Sequence, residues 1–396
     1  MTTQEIETVP KERLSRRVRE VPQSGIRKFF DVLNSMPDVI SLGVGEPDFD
    51  TPERVVEAGV RSLRSGRTHY SSNFGTLELR EALSVHLARL YGVTYDPERE
   101  IVITIGASEA LASALAATID PGDEVVLAEP SYVAYVPGII FSGGVPVFVP
   151  TRPEDGWQLD PDAVEAAITP RTKALFLGYP SNPTGAVLTA DTIRALAEIV
   201  ERHDLLVISD EIYDRLVYGD HRHEMFSALP DMRDRSIILG GFSKTYAMTG
   251  WRIGYAVAPP DLLDGIIKVH QYSIMSAPTT AQDAAVVALV RSEDDVAEMV
   301  AEYDRRRRMF VSGLEALGLP TAEPKGAFYA FPSIAGTGLS SEDFSRRLLY
   351  EQQVAVIPGG AFGPTGEGYV RASLATAYED LEEALVRIGA LLADLG

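Results

Sequence analysis

Cysteine is absent from the 396 residues, which excludes disulfides and thiolate metal sites outright. Lysine is scarce: six of the 36 basic residues, at positions 11, 28, 173, 244, 268 and 325, the rest being arginine. Positive charge as a whole is short, since 36 basic against 57 acidic side chains leave −21, with a pI of about 4.7. So acidic a surface argues against nucleic acid or an anionic membrane as partner, because basic patches hold both. No apolar run approaches the ~18 residues of a membrane span, and residues 1–20 carry no apolar leader core. The expectation is a cytoplasmic protein that acts on small molecules.

What is present is an ordinary globular composition, 45% hydrophobic with mean hydropathy near zero. The length suggests two domains. The middle of the chain alternates short apolar runs with amphipathic stretches, the pattern of an α/β fold whose mostly parallel sheet is covered on both faces. Seven strands are predicted, at Ile101–Ile105, Glu124–Ala128, Pro146–Val149, Ala174–Leu177, Leu205–Ser209, Ile237–Leu239 and Gly254–Ala258. Helices are predicted at Thr76–Leu90, Glu109–Ile119, Ala190–Arg202 and Pro278–Arg291. Beyond about Arg291 the texture changes to a long charged helix, Asp294–Leu317, then a strand from Lys325, a helix Ser341–Gln352, and strands at Val354–Ile357 and Tyr369–Ala375. The division expected is a large domain over residues 51–290 and a smaller α+β domain over 291–396, with residues 1–50 packing against the latter. Arg305–Arg308 read as a solvated helix face with scattered ion pairs.

Chemistry concentrates in the stretch Ser236–Tyr255. A buried strand ends at two glycines and then presents Lys244 among small and hydroxylated residues. A lysine held beside an apolar strand tends to lose its proton, and a neutral amine condenses with an aldehyde. Eight residues on, Arg252 supplies a fork suited to a phosphate. Asp210 ends the apolar run Leu205–Ser209 and so projects from the C-terminal edge of the sheet, where ligands of such sheets bind; the alternative is an N-cap for a following helix. Gly106-Ala107-Ser108 form a strand-to-helix turn whose free amides suit an anion. Asn182-Pro-Thr-Gly is a turn signal. His221 and His223 lie in a polar loop without a third ligand; they read as solvated, and no metal site is expected.

The motifs S-K-T-Y-A-M-T-G-W-R-I-G-Y at 243–255, S-N-P-T-G at 181–185, S-D-E-I-Y at 209–213 and Y-V-R-A-S at 369–373 together resemble the class I/II aminotransferases of the fold-type I pyridoxal-phosphate superfamily. The resemblance runs in order from about Ile40 to the C-terminus. It is strongest for the branch holding the prokaryotic aspartate and aromatic enzymes.

That resemblance implies pyridoxal 5'-phosphate as cofactor and amino acids and 2-oxo acids as substrates. Lys244 would join the cofactor aldehyde and later act as the base at the substrate Cα. Asp210 would face the ring nitrogen, Asn182 and Tyr213 the phenolic oxygen, and Tyr132 would stack on the ring. Arg252, Ser243 and the amides at Gly106, Ala107 and Ser108 would hold the phosphate, joined by Tyr70 from a partner subunit, which implies a homodimer. Gly241 departs from the pattern, since many relatives carry a hydroxyl residue there. Arg371 would clamp the substrate α-carboxylate, with Asn182 beside it and Gly45 letting backbone pass close to the substrate. The same resemblance implies cis bonds at Asn182–Pro183 and Glu129–Pro130. Arg27 and Lys28 are candidates for a side-chain carboxylate, and Tyr70, Tyr132, Phe328, Tyr329 and Phe362 for an apolar pocket. Expected specificity is broad, aromatic and dicarboxylic donors with 2-oxoglutarate as acceptor. The competing readings are a carbon–sulfur β-lyase or decarboxylase with the same cofactor, and a non-catalytic regulatory domain.

Overall fold

The structure, a computed structural model, describes residues 13–22, 36 and 38–395. After the two-residue strand β1 (Ile40–Ser41), a seven-stranded sheet is built from β2 (Ile101–Thr104), β3 (Glu124–Glu129), β4 (Val145–Pro150), β5 (Thr172–Gly178), β6 (Leu206–Asp210), β7 (Ser236–Gly241) and β8 (Gly254–Val257). Their order in space is β2-β8-β7-β6-β5-β3-β4. β8 runs antiparallel to both of its neighbours, so β2 points the same way as β7, and β3 through β7 are parallel. Six strands therefore open on one edge.

The runs are apolar on both faces because both faces are covered. Val125, Leu127, Phe176, Ile208 and Leu239 pack into one core, while Val126, Leu175, Leu177, Val207 and Ile238 pack into the other. The helix Gly106–Thr118 covers the first face, and Ala190–Arg202, capped by the Thr189 hydroxyl on the Thr192 amide at 3.2 Å, covers the second. Helix Gly106–Thr118 starts three residues earlier than its periodicity suggested, directly off the end of β2.

A third core gathers Tyr213, Tyr303, Phe310, Phe328, Tyr329, Phe344 and the inner face of Tyr378–Leu395. Its small strands are β9 (Tyr329–Ala330), β10 (Val354–Ala355), β11 (Ile357–Pro358) and β12 (Val370–Ser373). The strand predicted from Lys325 forms a ladder only at β9, with Gly326 in a separate antiparallel bridge to Val217, because Ala327 sits in the left-handed region at φ 54° and Pro332 has no N–H to continue the ladder. The run Val354–Ile357 is two strands, since the chain changes sheets: β10 pairs parallel with β1, and β11 antiparallel with β12. The described part of the first 50 residues divides likewise. Ile40 and Ser41 join β10, whereas Arg17 of the helix Arg16–Glu20 donates to the Phe141 carbonyl at 3.0 Å, beside the large sheet.

The arginine run on the long helix Glu293–Ala316 is not the solvated face expected. Arg306 and Arg307 are buried, Arg306 bonded to Asp48 at 2.8 Å and to Glu302 at 2.8 Å, Arg307 to Asp304 and to Glu323 at 2.6 Å. A guanidinium turned toward the interior requires a carboxylate partner. Arg305 and Arg308 remain exposed.

Candidate active site

The C-terminal edge of the sheet delivers most of the candidates to one cavity of about 540 Å³. Asp210 is the last residue of β6 and Lys244 follows β7 by three residues. Tyr132 follows β3, Asn182 follows β5, and Ala107 and Ser108 open the helix after β2. Arg371 on β12 and the segment Gly43–Glu46 close the cavity from the third core. Tyr213, Ser243 and Arg252 also line it; Tyr70 does not, being 80% exposed, and Gly106 stands behind Arg252.

Lys244 is half-buried and its Nζ donates to the Gly45 carbonyl at 2.6 Å. Burial pushes its pKa down to about 8; Arg371 and Arg252 push the same way, and Glu46 and Asp210 oppose them. A substantial neutral fraction near pH 7–8 follows. Asp210 is pushed up to about 6 by burial, against the hydrogen bonds it accepts from the Tyr135 hydroxyl at 3.0 Å and the Ile212 amide at 3.2 Å. A turn, not a helix, follows Asp210, so the capping alternative falls.

Arg371 is only 3% exposed. It donates from Nη1 to Asn182 Oδ1 at 2.9 Å and from Nη2 to the Gly43 carbonyl at 2.7 Å, while Nε has no partner among the described residues. A buried charge held at two corners with a third donor unpartnered has the chemistry to receive a carboxylate. At the far end, Arg252 sits in the left-handed region at φ 54° and lies against Gly106, whose added Cβ would come within 2.8 Å of Nη2. The free amides of the helix start there and carry its positive pole.

The adjacent Glu211 points to the opposite face, as the pleat requires. There it accepts from the Ser209 hydroxyl at 2.9 Å and the Phe226 amide at 3.2 Å, and bonds His223 Nε2 at 2.6 Å. His223 is therefore not solvated, although His221 is exposed. Burial alone would lower the His223 pKa, but Glu211 holds it above the ordinary value. No group of potential metal ligands occurs among the described residues.

Two participants were not identified from the sequence. Tyr135, which bonds Asp210, lies three residues after Tyr132, and that spacing was the only available signal. Tyr329 was read as lining, yet its hydroxyl meets that of Tyr213 at 2.8 Å. Phe328 and Phe362 do not line the cavity; they stand behind it, with Phe362 5.0 Å beneath the Arg371 guanidinium. The peptide bonds before Pro130 and Pro183 are cis as expected, as is Tyr179–Pro180. Arg27 and Lys28 lie outside the described residues.

A cavity lined by Arg252 beside a helix start, by the anchored guanidinium of Arg371 and by the weakly basic amine of Lys244, at the strand ends of a mostly parallel sheet, suits an enzyme of amino-acid chemistry. The chain belongs to the class I and II aminotransferases, whose family model matches residues 37–388. It is similar to an aspartate aminotransferase of Pyrococcus abyssi, 46% identical over 381 residues, which are 96% of this chain and 98% of that protein. It is likewise similar to aromatic-amino-acid aminotransferase 2 of Thermococcus litoralis, 45% identical over 96% of this chain and 98% of that one. Among solved structures, the aromatic aminotransferase from Pyrococcus horikoshii OT3 superposes with a TM-score of 0.89 at 47% identity, covering 92% of this chain and 99% of the other. The protein is thus a transaminase of fold type I, and these likenesses lend no support to the lyase or regulatory readings.

Proposed function

We propose that the cavity holds pyridoxal phosphate and that the enzyme transfers the amino group of aromatic and dicarboxylic L-amino acids to 2-oxoglutarate. The residues present suit such a group. Gly106 leaves the space that Arg252 occupies beside free helix amides, a buried carboxylate stands at a strand end, and the orphaned Nε of Arg371 awaits a carboxylate. Arg252, Ser243 and the amides of Gly106, Ala107 and Ser108 would hold the phosphate, Asp210 the ring nitrogen, Asn182 and Tyr213 the phenolic oxygen, and Tyr132 the ring face. Thr249, which lines the same corner, offers a hydroxyl where Gly241 has none.

When bound, pyridoxal phosphate supplies an electron sink for the pair left at Cα on deprotonation. The protein's part is positional and protonic. Arg371 fixes the substrate by its α-carboxylate, with Asn182 Oδ1 and the Gly43 carbonyl keeping the guanidinium in plane. Lys244 Nζ, neutral in part because of its burial, takes the Cα proton and returns it on the other side of the transfer. Asp210 keeps a proton on the ring nitrogen, its own carboxylate steadied by the Tyr135 hydroxyl.

The Tyr132 and Tyr329 rings and the names of the relatives support aromatic donors. Among the described cavity residues the cations are Lys244, Arg252 and Arg371, each already given a task, which ranks aspartate behind aromatic donors in this proposal. The exposed Tyr70 supports a homodimer in which it reaches the partner's phosphate corner. Among the described residues no helix is long and apolar enough to cross a membrane, and a cytoplasmic location is proposed with the same domain limits as above.

The observation that carries the reading is the buried Arg371 fork facing a cavity that also contains Lys244. Absorption spectra of the purified protein, before and after glutamate, tyrosine, aspartate and alanine in turn, test it. Conversion of a long-wavelength band to the pyridoxamine form, foremost by tyrosine and glutamate, is expected. A pyridoxal band that none of the four converts would overturn it.

A further inference from the structure

Tyr329 stands where three of the groups above meet. Its strand β9 pairs antiparallel with β12 in the register Tyr329↔Ser373 and Ala330↔Ala372, which brings its ring beneath Arg371, with the guanidinium carbon 4.5 Å from the ring centroid. Its hydroxyl bonds that of Tyr213 at 2.8 Å. A Cβ on residue 45 would come within 2.6 Å of the same oxygen, and it is the Gly45 carbonyl that holds Lys244 Nζ. A tyrosine packed only for its bulk would bury its ring and send its hydroxyl to water; this one is buried and lines the cavity.

We propose that Tyr329 is a positioning residue: its hydroxyl donates to the Tyr213 oxygen, leaving the Tyr213 proton free to point into the cavity, while its ring supports the Arg371 clamp. The direction of donation follows from the surroundings. Burial raises both phenols above their ordinary range, Tyr213 further than Tyr329; Arg371 opposes the rise in both, but its guanidinium stands directly over the Tyr329 ring, 4.5 Å from the centroid, so the Tyr329 hydroxyl is the more acidic of the two and the better donor. The inference rests on the reading of Tyr213 as the donor to the cofactor's phenolic oxygen.

The test compares the pyridoxal-phosphate-loaded wild type with Tyr329→Phe and Tyr329→Leu by titrating the long-wavelength absorbance against pH, with steady-state kinetics on tyrosine and thermal unfolding alongside. In Tyr329→Phe, Tyr213 becomes a weaker donor to the oxygen that must carry negative charge, so the spectral midpoint moves up by about half a pH unit. kcat falls by about three- to tenfold with little change in KM, because the ring beneath Arg371 remains. Tyr329→Leu removes the ring as well and adds a rise in KM of about tenfold. A Tyr329→Phe midpoint that coincides with the wild type's, whatever happens to the melting temperature, overturns the proposal. A wild type with no pyridoxal band overturns instead the reading beneath it.

Discussion

Replacing Arg371 by lysine keeps the charge and removes the fork. In the native side chain two nitrogens are committed to Asn182 Oδ1 and the Gly43 carbonyl, and Nε is left over. An ammonium on a flexible stem cannot reach both anchors and present the remaining donors in one plane. The substrate therefore loses the equivalent of one charge-assisted hydrogen bond, about 1.5–3 kcal/mol, or a fall in kcat/KM of about 10- to 150-fold. Because every substrate carries the same α-carboxylate, the factor should be the same for tyrosine, phenylalanine, aspartate and alanine. The assay is kcat/KM for the four donors, with thermal unfolding as control, since a buried acceptor losing its partner costs the fold about 1–3 kcal/mol. A loss confined to aspartate would show that Arg371 binds the side-chain carboxylate instead, and a factor below about threefold would refute the clamp altogether.

Lys244→Ala should abolish transamination, and loading of the wild-type apoprotein with pyridoxal phosphate should quicken as pH rises through about 8, where Nζ becomes neutral; pH-independent loading would contradict this. Asp210→Asn should lower kcat by roughly 10²–10³-fold. It should also make the apoprotein more stable above about pH 6, because a carboxyl raised to about 6 in the fold penalises folding above that pH and not below about pH 4; denaturant midpoints across this range check the sign. In Gly106→Ala the new Cβ would press on Arg252 Nη2 and hold a left-handed φ of 71°, a strain of about 1–2 kcal/mol, so cofactor affinity should fall by about tenfold or more by equilibrium dialysis.

The sheet was legible because its strands are short and apolar on both faces, the pattern that a parallel sheet between helices requires. The candidate site was legible in the same places, since Asp210 and Gly106 lie directly at the ends of such runs and Lys244 comes three residues after one. What sequence spacing does not carry is pairing across the fold. Whether Tyr329 is core filler or a partner of Tyr213 depends on β9 lying beside β12, and the two tyrosines are 116 residues apart. Arg306 and Arg307 looked like their solvated neighbours because a run of identical charge masked the helical phase that Met299, Tyr303, Phe310 and Leu314 set on the same face, and the carboxylate that Arg306 meets there, Asp48, is far away in the chain. His223 was misread for the same reason, its partner Glu211 being turned inward by a strand end rather than by anything local.

The placement of Asp210 shows how little freedom the site has. Within the ladder it stands opposite Gly178 on one side and Leu239 on the other. A slip of one residue that brought Glu211 to the cavity in its place would bring Ile212 to the position of Glu211, since side chains alternate faces, and would leave His223 and the Phe226 amide facing no carboxylate. The neighbour at the paired position is glycine for a reason of space, as a Cβ on Gly178 would lie 2.7 Å from the Tyr135 hydroxyl, the group that steadies Asp210. Two adjacent acids are thus separated into two environments by the pleat. One holds a buried histidine on the helix-covered side; the other is raised toward neutrality at the open edge, where a charged partner can repay its burial. The register of three strands, and not any single motif, decides which acid does which.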